Sequence, residues 1–315
     1  MLGIRYPIIM APMFLVSNET MIIEAVKAGI TGCIPALNWR TDETMRAGLK
    51  KIREGCDGPF GVNLIVNKSN VYFKRQLQTC LDMKVDYIIT SLGSPKATIE
   101  ACRKHGIKVF CDVTNLEYAK KVEAAGADAI IAVNKEAGGH SGQIPAKELL
   151  PQLIKNTSIP VISAGGVGDG EGLWRRINED GAVGVSVGTI FIASEESPVS
   201  DAYKQACIDY GAKDIRMTTK VSGTPMTVIY TPYVQKIGLE QNALEKFLSK
   251  NRFLKKYFKM LTAVKGAKKV REAAFKATYK TVWCAGPTIE YVHKVRPVRE
   301  IVADLVEGYD RLQSP

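Results

Sequence analysis

Eight short runs of β-branched and small apolar residues, with longer amphipathic runs between them, constrain this chain more than anything else in it. Such alternation builds a parallel sheet with helices outside, because every parallel strand needs a crossover and the crossovers bury both sheet faces. The strand runs are Tyr6 to Ala11, Gly32 to Ala36, Phe60 to Ile65, Tyr87 to Ser91, Lys108 to Val113, Ala129 to Val133, Pro160 to Ala164 and Gly184 to Val187. Helical periodicity fills the intervals at Asn18 to Ala28, Asp42 to Glu54, Asn70 to Met83, Pro95 to Lys104, Leu116 to Ala125, Ala146 to Lys155 and Gly170 to Glu179. Eight strands close a (β/α)8 ring, so the predicted fold is α/β, a TIM barrel.

A doubly wound open sheet is the competing architecture, and the strand ends argue against it. Nearly every run finishes on something polar or glycine-rich: Ala11-Pro12-Met13, Asn63, Thr90-Ser91, Asp112 with Thr114, Gly138-Gly139-His140, Ala164-Gly165-Gly166 and Gly188-Thr189. In a barrel these ends form one rim, where active sites lie. A dinucleotide fold would instead need its G-x-G-x-x-G in the first βα turn.

Two of the ends read as an anion cradle. Ser163 to Gly170 and Ser186 to Phe191 follow the last two strands, and glycines there let backbone N–H groups converge on a phosphate, with a helix N-terminus adding a favourable dipole. The bland alternative is a pair of tight turns. His140 stands among small residues, so it can approach a ligand closely. Its unperturbed pKa near 6.5 suits a base at neutral pH, although a histidine in such a turn can equally cap a helix or bond a carbonyl. His105 fits a helix end before Gly106, and His293 precedes a charged segment, so neither competes for catalysis.

Seven cysteines, odd in number and without a CxxC pair, suggest reduced thiols in a cytoplasmic protein, and no metal site is indicated. The N-terminus enters a strand pattern directly, and no apolar run is long enough for a membrane span. The net charge of +11 is concentrated: residues 246 to 280 hold twelve basic side chains against one acid, Glu272. After about Gly211 the rhythm changes, with an extended stretch and then a helical pattern in which Phe247, Leu254, Phe258 and Leu261 share a face. The expected organisation is a barrel over residues 1–212, a mainly helical basic lid over 213–290, and a terminal helix in 291–315 that packs back on the barrel.

On these residues the chain resembles the nitronate monooxygenase (2-nitropropane dioxygenase-like) flavoproteins, related to the FMN-dependent enoyl-ACP reductases. The likeness rests on Tyr6 to Met13, Phe60 to Asn63, Glu136 to Gly142, Ala164 to Val167 and Val187 to Phe191, and returns near Ala285-Gly286 and the terminal helix. It implies FMN in a TIM barrel, with the ring beside Ala11, Pro12, Met13 and Asn63, the phosphate on Ala164 to Gly166 and Gly188-Thr189, and His140 facing the flavin. Gly138, Gly139 and Asp112 join the cofactor-binding set. Two positions depart from the pattern: Asp112 stands where many relatives carry a basic or amide group, and Val133 where some carry an acid.

The reading that follows is oxidation of alkyl nitronates or nitroalkanes by O2 to a carbonyl compound and nitrite, with His140 as base. The alternative is an NAD(P)H-dependent reductase of an enoyl thioester or a quinone, with the basic segment steering an acyl carrier protein or a CoA phosphate. The partner is thus a small-molecule substrate, with a homodimer also compatible. RNA binding is disfavoured, because the tRNA-modifying FMN barrels should carry an active-site Cys that has no counterpart here. A lipid-surface role for residues 245 to 261 is the last alternative.

Overall fold

The computed structural model describes residues 1–68, 70–221, 223–241 and 281–313. Eight parallel strands close a barrel: β1 (Ile8–Met10), β2 (Thr31–Pro35), β3 (Phe60–Ile65), β4 (Tyr87–Ser91), β5 (Lys108–Val113), β6 (Ala129–Val133), then β8 (Val161–Ala164) and β9 (Gly184–Val187), with Ile9 opposite Ser186 at the seam. Strand β7 is the two-residue segment Gly139–His140, outside the barrel. Five of the eight predicted strands have their predicted bounds. The outer helices α1 (Glu19–Lys27), α2 (Asp42–Gly55), α3 (Phe73–Asp82), α4 (Lys96–Arg103), α5 (Leu116–Ala124), α6 (Ala146–Asn156) and α7 (Gly170–Asn178) occupy the seven predicted intervals.

Local chemistry explains where these helices begin. Asn18, Thr41, Asn115 and Asp169 each accept a backbone N–H from the first turn that follows, which satisfies a donor the helix cannot. Strand alternation then divides the apolar residues in two. Ile9, Cys33, Tyr87, Ile89, Phe110, Ala129, Ile131, Ile162 and Ala164 fill the barrel, while the other parity meets the helix layer. Tyr87 plugs the interior. Its ring stacks on Phe110 at 5.1 Å, its hydroxyl reaches the Gly32 carbonyl at 3.1 Å, and a Cβ on Gly61 would lie 2.2 Å from it.

Beyond the barrel come α8 (Asp201–Asp209), in a stretch the sequence leaves unassigned, β10 (Ile215–Thr218), β11 (Met226–Ile229), α9 (Pro232–Ile237) and α10 (Val298–Gln313). Helix α10 buries Val298, Ile301, Val302, Leu305 and Val306, one stripe at helical spacing. It docks on α7 where Gly170 and Gly308 let the backbones touch: a Cβ on Gly170 would stand 2.4 Å from the Gly308 carbonyl carbon. At about 1.5–3 kcal/mol per buried aliphatic side chain, this stripe anchors the C-terminal segment to the barrel.

Strands β10, β11 and β7 form a second, antiparallel sheet. The described part of the expected lid is therefore strand as well as helix, and it begins by pairing with the rim. The apolar face at Phe247 to Leu261 and the basic cluster from Lys246 to Lys280 lie outside the described residues. Among the described residues no helix is long and apolar enough to cross a membrane, and Cys284 is half-buried while the other six cysteines are buried, all of them free.

Candidate active site

Parity aims the rim residues. On β3, Phe60, Val62 and Leu64 belong to the outer layer, so Asn63 points into the barrel; by the same alternation Ser91 follows Ile89 inward and Asp112 follows Phe110. Val133 and Ala164 close the inner cluster at the same level, and Ala11 hydrogen-bonds across the seam to the Val187 carbonyl at 2.8 Å. Gly188 sits beside Ala11 and Met13, where a Cβ would find ordinary contacts at 3.5 Å. The structure thus brings Ala11, Met13, Asn63, Asp112, Ala164 and Gly188 to one mouth, with Pro12 on the same turn. Ala11, Ala164 and Gly188 put little or no side chain at this level.

The expected anion cradle lies at the ends of β8 and β9. Gly165 and Gly166 adopt φ of 111° and 82°, conformations that favour glycine, and a Cβ on Gly165 would meet Asn134 Oδ1 at 2.4 Å and Ala137 N at 2.5 Å. None of the amides of Gly165, Gly166, Gly188 and Thr189 donates to an acceptor among the described residues, so four N–H groups at the ends of β8 and β9 are free for a phosphate. The residues present therefore fit a phosphate-bearing cofactor. At the N-terminus of α7, Asp169 is the cap, its carboxylate accepting the Gly172 amide at 2.8 Å. Gly168 and Gly170 serve packing instead, against the Tyr291 ring and Gly308.

His140 is carried by a clamped loop. Asn134, fully buried, donates from Nδ2 to the Gly165 carbonyl at 3.0 Å and accepts the Glu136 amide on Oδ1 at 2.9 Å, which ties this loop to the cradle. Thr227 Oγ1 donates to the Ala137 carbonyl at 2.7 Å, and Thr189 Oγ1 accepts the Gly286 amide at 2.9 Å. A Cβ on Gly138 would stand 2.8 Å from Gly286 N and 2.9 Å from Thr189 Oγ1, so that glycine permits close passage of the two loops. Gly139, at φ 70°, then starts β7, where it pairs with Thr227 and His140 pairs with Met226. Burial alone holds the half-buried imidazole below its usual pKa, so it is neutral at pH 7. Of the other histidines, His105 sets Nδ1 against the Ala101 carbonyl at 3.0 Å, and His293 is exposed.

Across the mouth runs a polar chain. Asn63 Nδ2 donates to the Ile89 carbonyl at 3.1 Å and to Ser91 Oγ at 2.7 Å, and Ser91 Oγ donates to Asp112 Oδ2 at 2.5 Å. Loss of hydration pushes the Asp112 carboxyl up to about 6, while the Ser91 hydrogen bond opposes that rise. Sequence reading missed Asn134, Thr227 and Ser91 as site residues. Ser91 alone left a signal, the inward parity of a polar strand end.

A family model for nitronate monooxygenase matches residues 69–308. A (3aS,4S,5R,7aS)-5-hydroxy-7a-methyl-1-oxo-octahydro-1H-indene-4-carboxyl-CoA dehydrogenase of Mycobacterium tuberculosis is 31% identical over 240 residues, 75% of this chain and 66% of that relative, just under two thirds of its length. Two solved structures superpose over nearly the whole chain. FabK from Thermotoga maritima has a TM-score of 0.81 at 27% identity, covering 99% of this chain and 95% of that one. Nitroalkane oxidase from Streptomyces ansochromogenes has a TM-score of 0.78 at 25% identity, with 98% of each chain covered.

Proposed function

The chain belongs to the nitronate monooxygenase family and is a flavin-dependent oxidoreductase, and from that premise we propose that it oxidises nitroalkanes or their nitronates with O2, giving a carbonyl compound and nitrite, with His140 as base. The observation that carries this reading is the geometry of one rim: a neutral, half-buried imidazole on the loop that Asn134 ties to a set of free backbone amides. FMN, held by Ala11, Pro12, Met13, Asn63, Asp112, Gly138, Gly139, Ala164, Gly165, Gly166, Gly188 and Thr189, would supply the electron transfer and oxygen chemistry when bound. The protein's own part is positional and acid–base. His140 takes the α-proton of a neutral nitro compound, or orients a nitronate through a hydrogen bond, and the amides of Gly165, Gly166, Gly188 and Thr189 grip the phosphate.

A second reading draws on the acyl-CoA substrate in the name of the mycobacterial relative: an NAD(P)H-linked reductase of an enoyl thioester or quinone, with His140 as proton donor. Two assays separate the readings. Nitrite release across a nitroalkane panel, together with indifference of the flavin to NADH and NADPH under anaerobic conditions, supports the oxidation. Rapid anaerobic bleaching by a nicotinamide without nitrite formation supports the reductase.

A further inference from the structure

We propose that Asp112 is a charge filter for the mouth of the barrel: a positioning residue, held by Ser91 and Asn63, whose carboxylate penalises negative charge on whatever the mouth contains and so favours neutral nitro compounds over anionic nitronates. The proposal rests on the flavin-dependent reading above and deepens it by naming the preferred charge state of the substrate.

The geometry gives the carboxylate both its direction and its isolation. Both amide protons of Asn63 are committed, to the Ile89 carbonyl and to Ser91 Oγ, so the single Ser91 proton goes to Asp112 and the carboxylate is the acceptor that ends the chain. Asp112 makes no ion pair among the described residues. Structural aspartates in this barrel look different. Asp86 accepts the Phe60 amide at 3.0 Å and an Arg53 guanidinium at 3.0 Å, and Asp128 accepts the Val109 amide at 2.8 Å and the Lys108 ammonium at 2.9 Å. Both stand just before a strand, at the N-terminal face, where such residues contribute to stability. Asp112 stands at the opposite face, on the inward parity, without a backbone N–H or a cation on its carboxylate among the described residues.

Cys33, on β2 in the barrel interior, is pushed up first by burial and then by the Asp112 carboxylate, so its thiol stays protonated. With its carboxyl raised to about 6, Asp112 is mostly ionised at pH 7. A half-buried negative charge with no cation paired to it among the described residues acts on an anion that enters the mouth.

The test uses FMN-loaded protein and sulfite, which adds to the flavin ring and leaves it negatively charged, so its dissociation constant, read from flavin absorbance, reports the tolerance for negative charge without turnover. At pH 7, Asp112→Asn should bind sulfite at least tenfold more tightly than the natural chain, and Asp112→Glu should restore weak binding. Ser91→Ala removes the hydrogen bond that keeps the carboxyl ionised, so it should shift affinity the same way by a smaller factor, and it should add little in the Asp112→Asn background. The ratio of nitronate to neutral nitroalkane kcat/KM should rise in parallel. Unchanged sulfite affinity in both Asp112→Asn and Ser91→Ala, with FMN still bound, overturns the filter and leaves the flavin reading intact. If the natural chain takes up no FMN at all, the flavin reading fails and takes this inference with it.

Discussion

His140 and Met226 face each other across a two-residue antiparallel ladder, so the histidine is presented by a strand from beyond the barrel rather than by the barrel alone. Strands β10 and β11 are thereby part of the site's construction. Thr227 is the fixing point, since its buried hydroxyl donates to the Ala137 carbonyl. Thr227→Val keeps the shape and removes that donor. We expect a stability loss of about 1–3 kcal/mol in denaturant titration and a fall in kcat on neutral nitroalkanes. A variant with natural kcat would detach the hairpin from catalysis.

The glycines of the two cradle loops should respond differently to a methyl group. At Gly165 the positive φ and the contacts with Asn134 and Ala137 leave no room, so Gly165→Ala should cost roughly 2–5 kcal/mol and weaken FMN retention. Gly188 has φ −120° and only ordinary contacts around its missing Cβ, so Gly188→Ala should fold within about 1 kcal/mol of the natural chain. Thermal melting and the flavin absorbance of the purified variants check both.

That contrast also marks what the sequence could reveal. Strands β3 to β6 follow directly from alternating and continuous apolar runs, because parity is a local property. Asp112 and Asn63 point inward for the same reason. Asn134 was invisible, since its role depends on the Gly165 carbonyl, 31 residues away. The pairing of His140 with Met226 is equally non-local, and no periodicity in either segment announces it. Asp169 is readable as a cap, an acid directly before Gly170-Glu171.

The pH dependence of turnover follows from His140. Burial lowers its pKa below 6.5, so the imidazole is neutral and able to accept a proton above that lowered value and is protonated below it. For a neutral nitroalkane, kcat/KM should rise with pH through an apparent pKa below 6.5 and then level off. A profile rising through a pKa well above 7 would assign the base elsewhere.

Asp112 makes a separate prediction about stability. Its folded-state carboxyl is raised from 3.8 to about 6, so the folded state is favoured while the group is protonated and loses that advantage as pH rises through 6. Asp112→Asn removes the titration. Its melting temperature should exceed that of the natural chain at pH 8 and converge on it by pH 4. A constant difference across that range would show that the carboxyl does not titrate with a raised pKa.

The base assignment of His140 is tested most directly by His140→Asn, assayed in FMN-loaded protein on a neutral nitroalkane and on the matching pre-formed nitronate. An imidazole that removes the α-proton is indispensable for the first substrate and dispensable for the second. The account predicts loss of neutral nitroalkane turnover with much of the nitronate reaction retained. Equal loss on both substrates would contradict it.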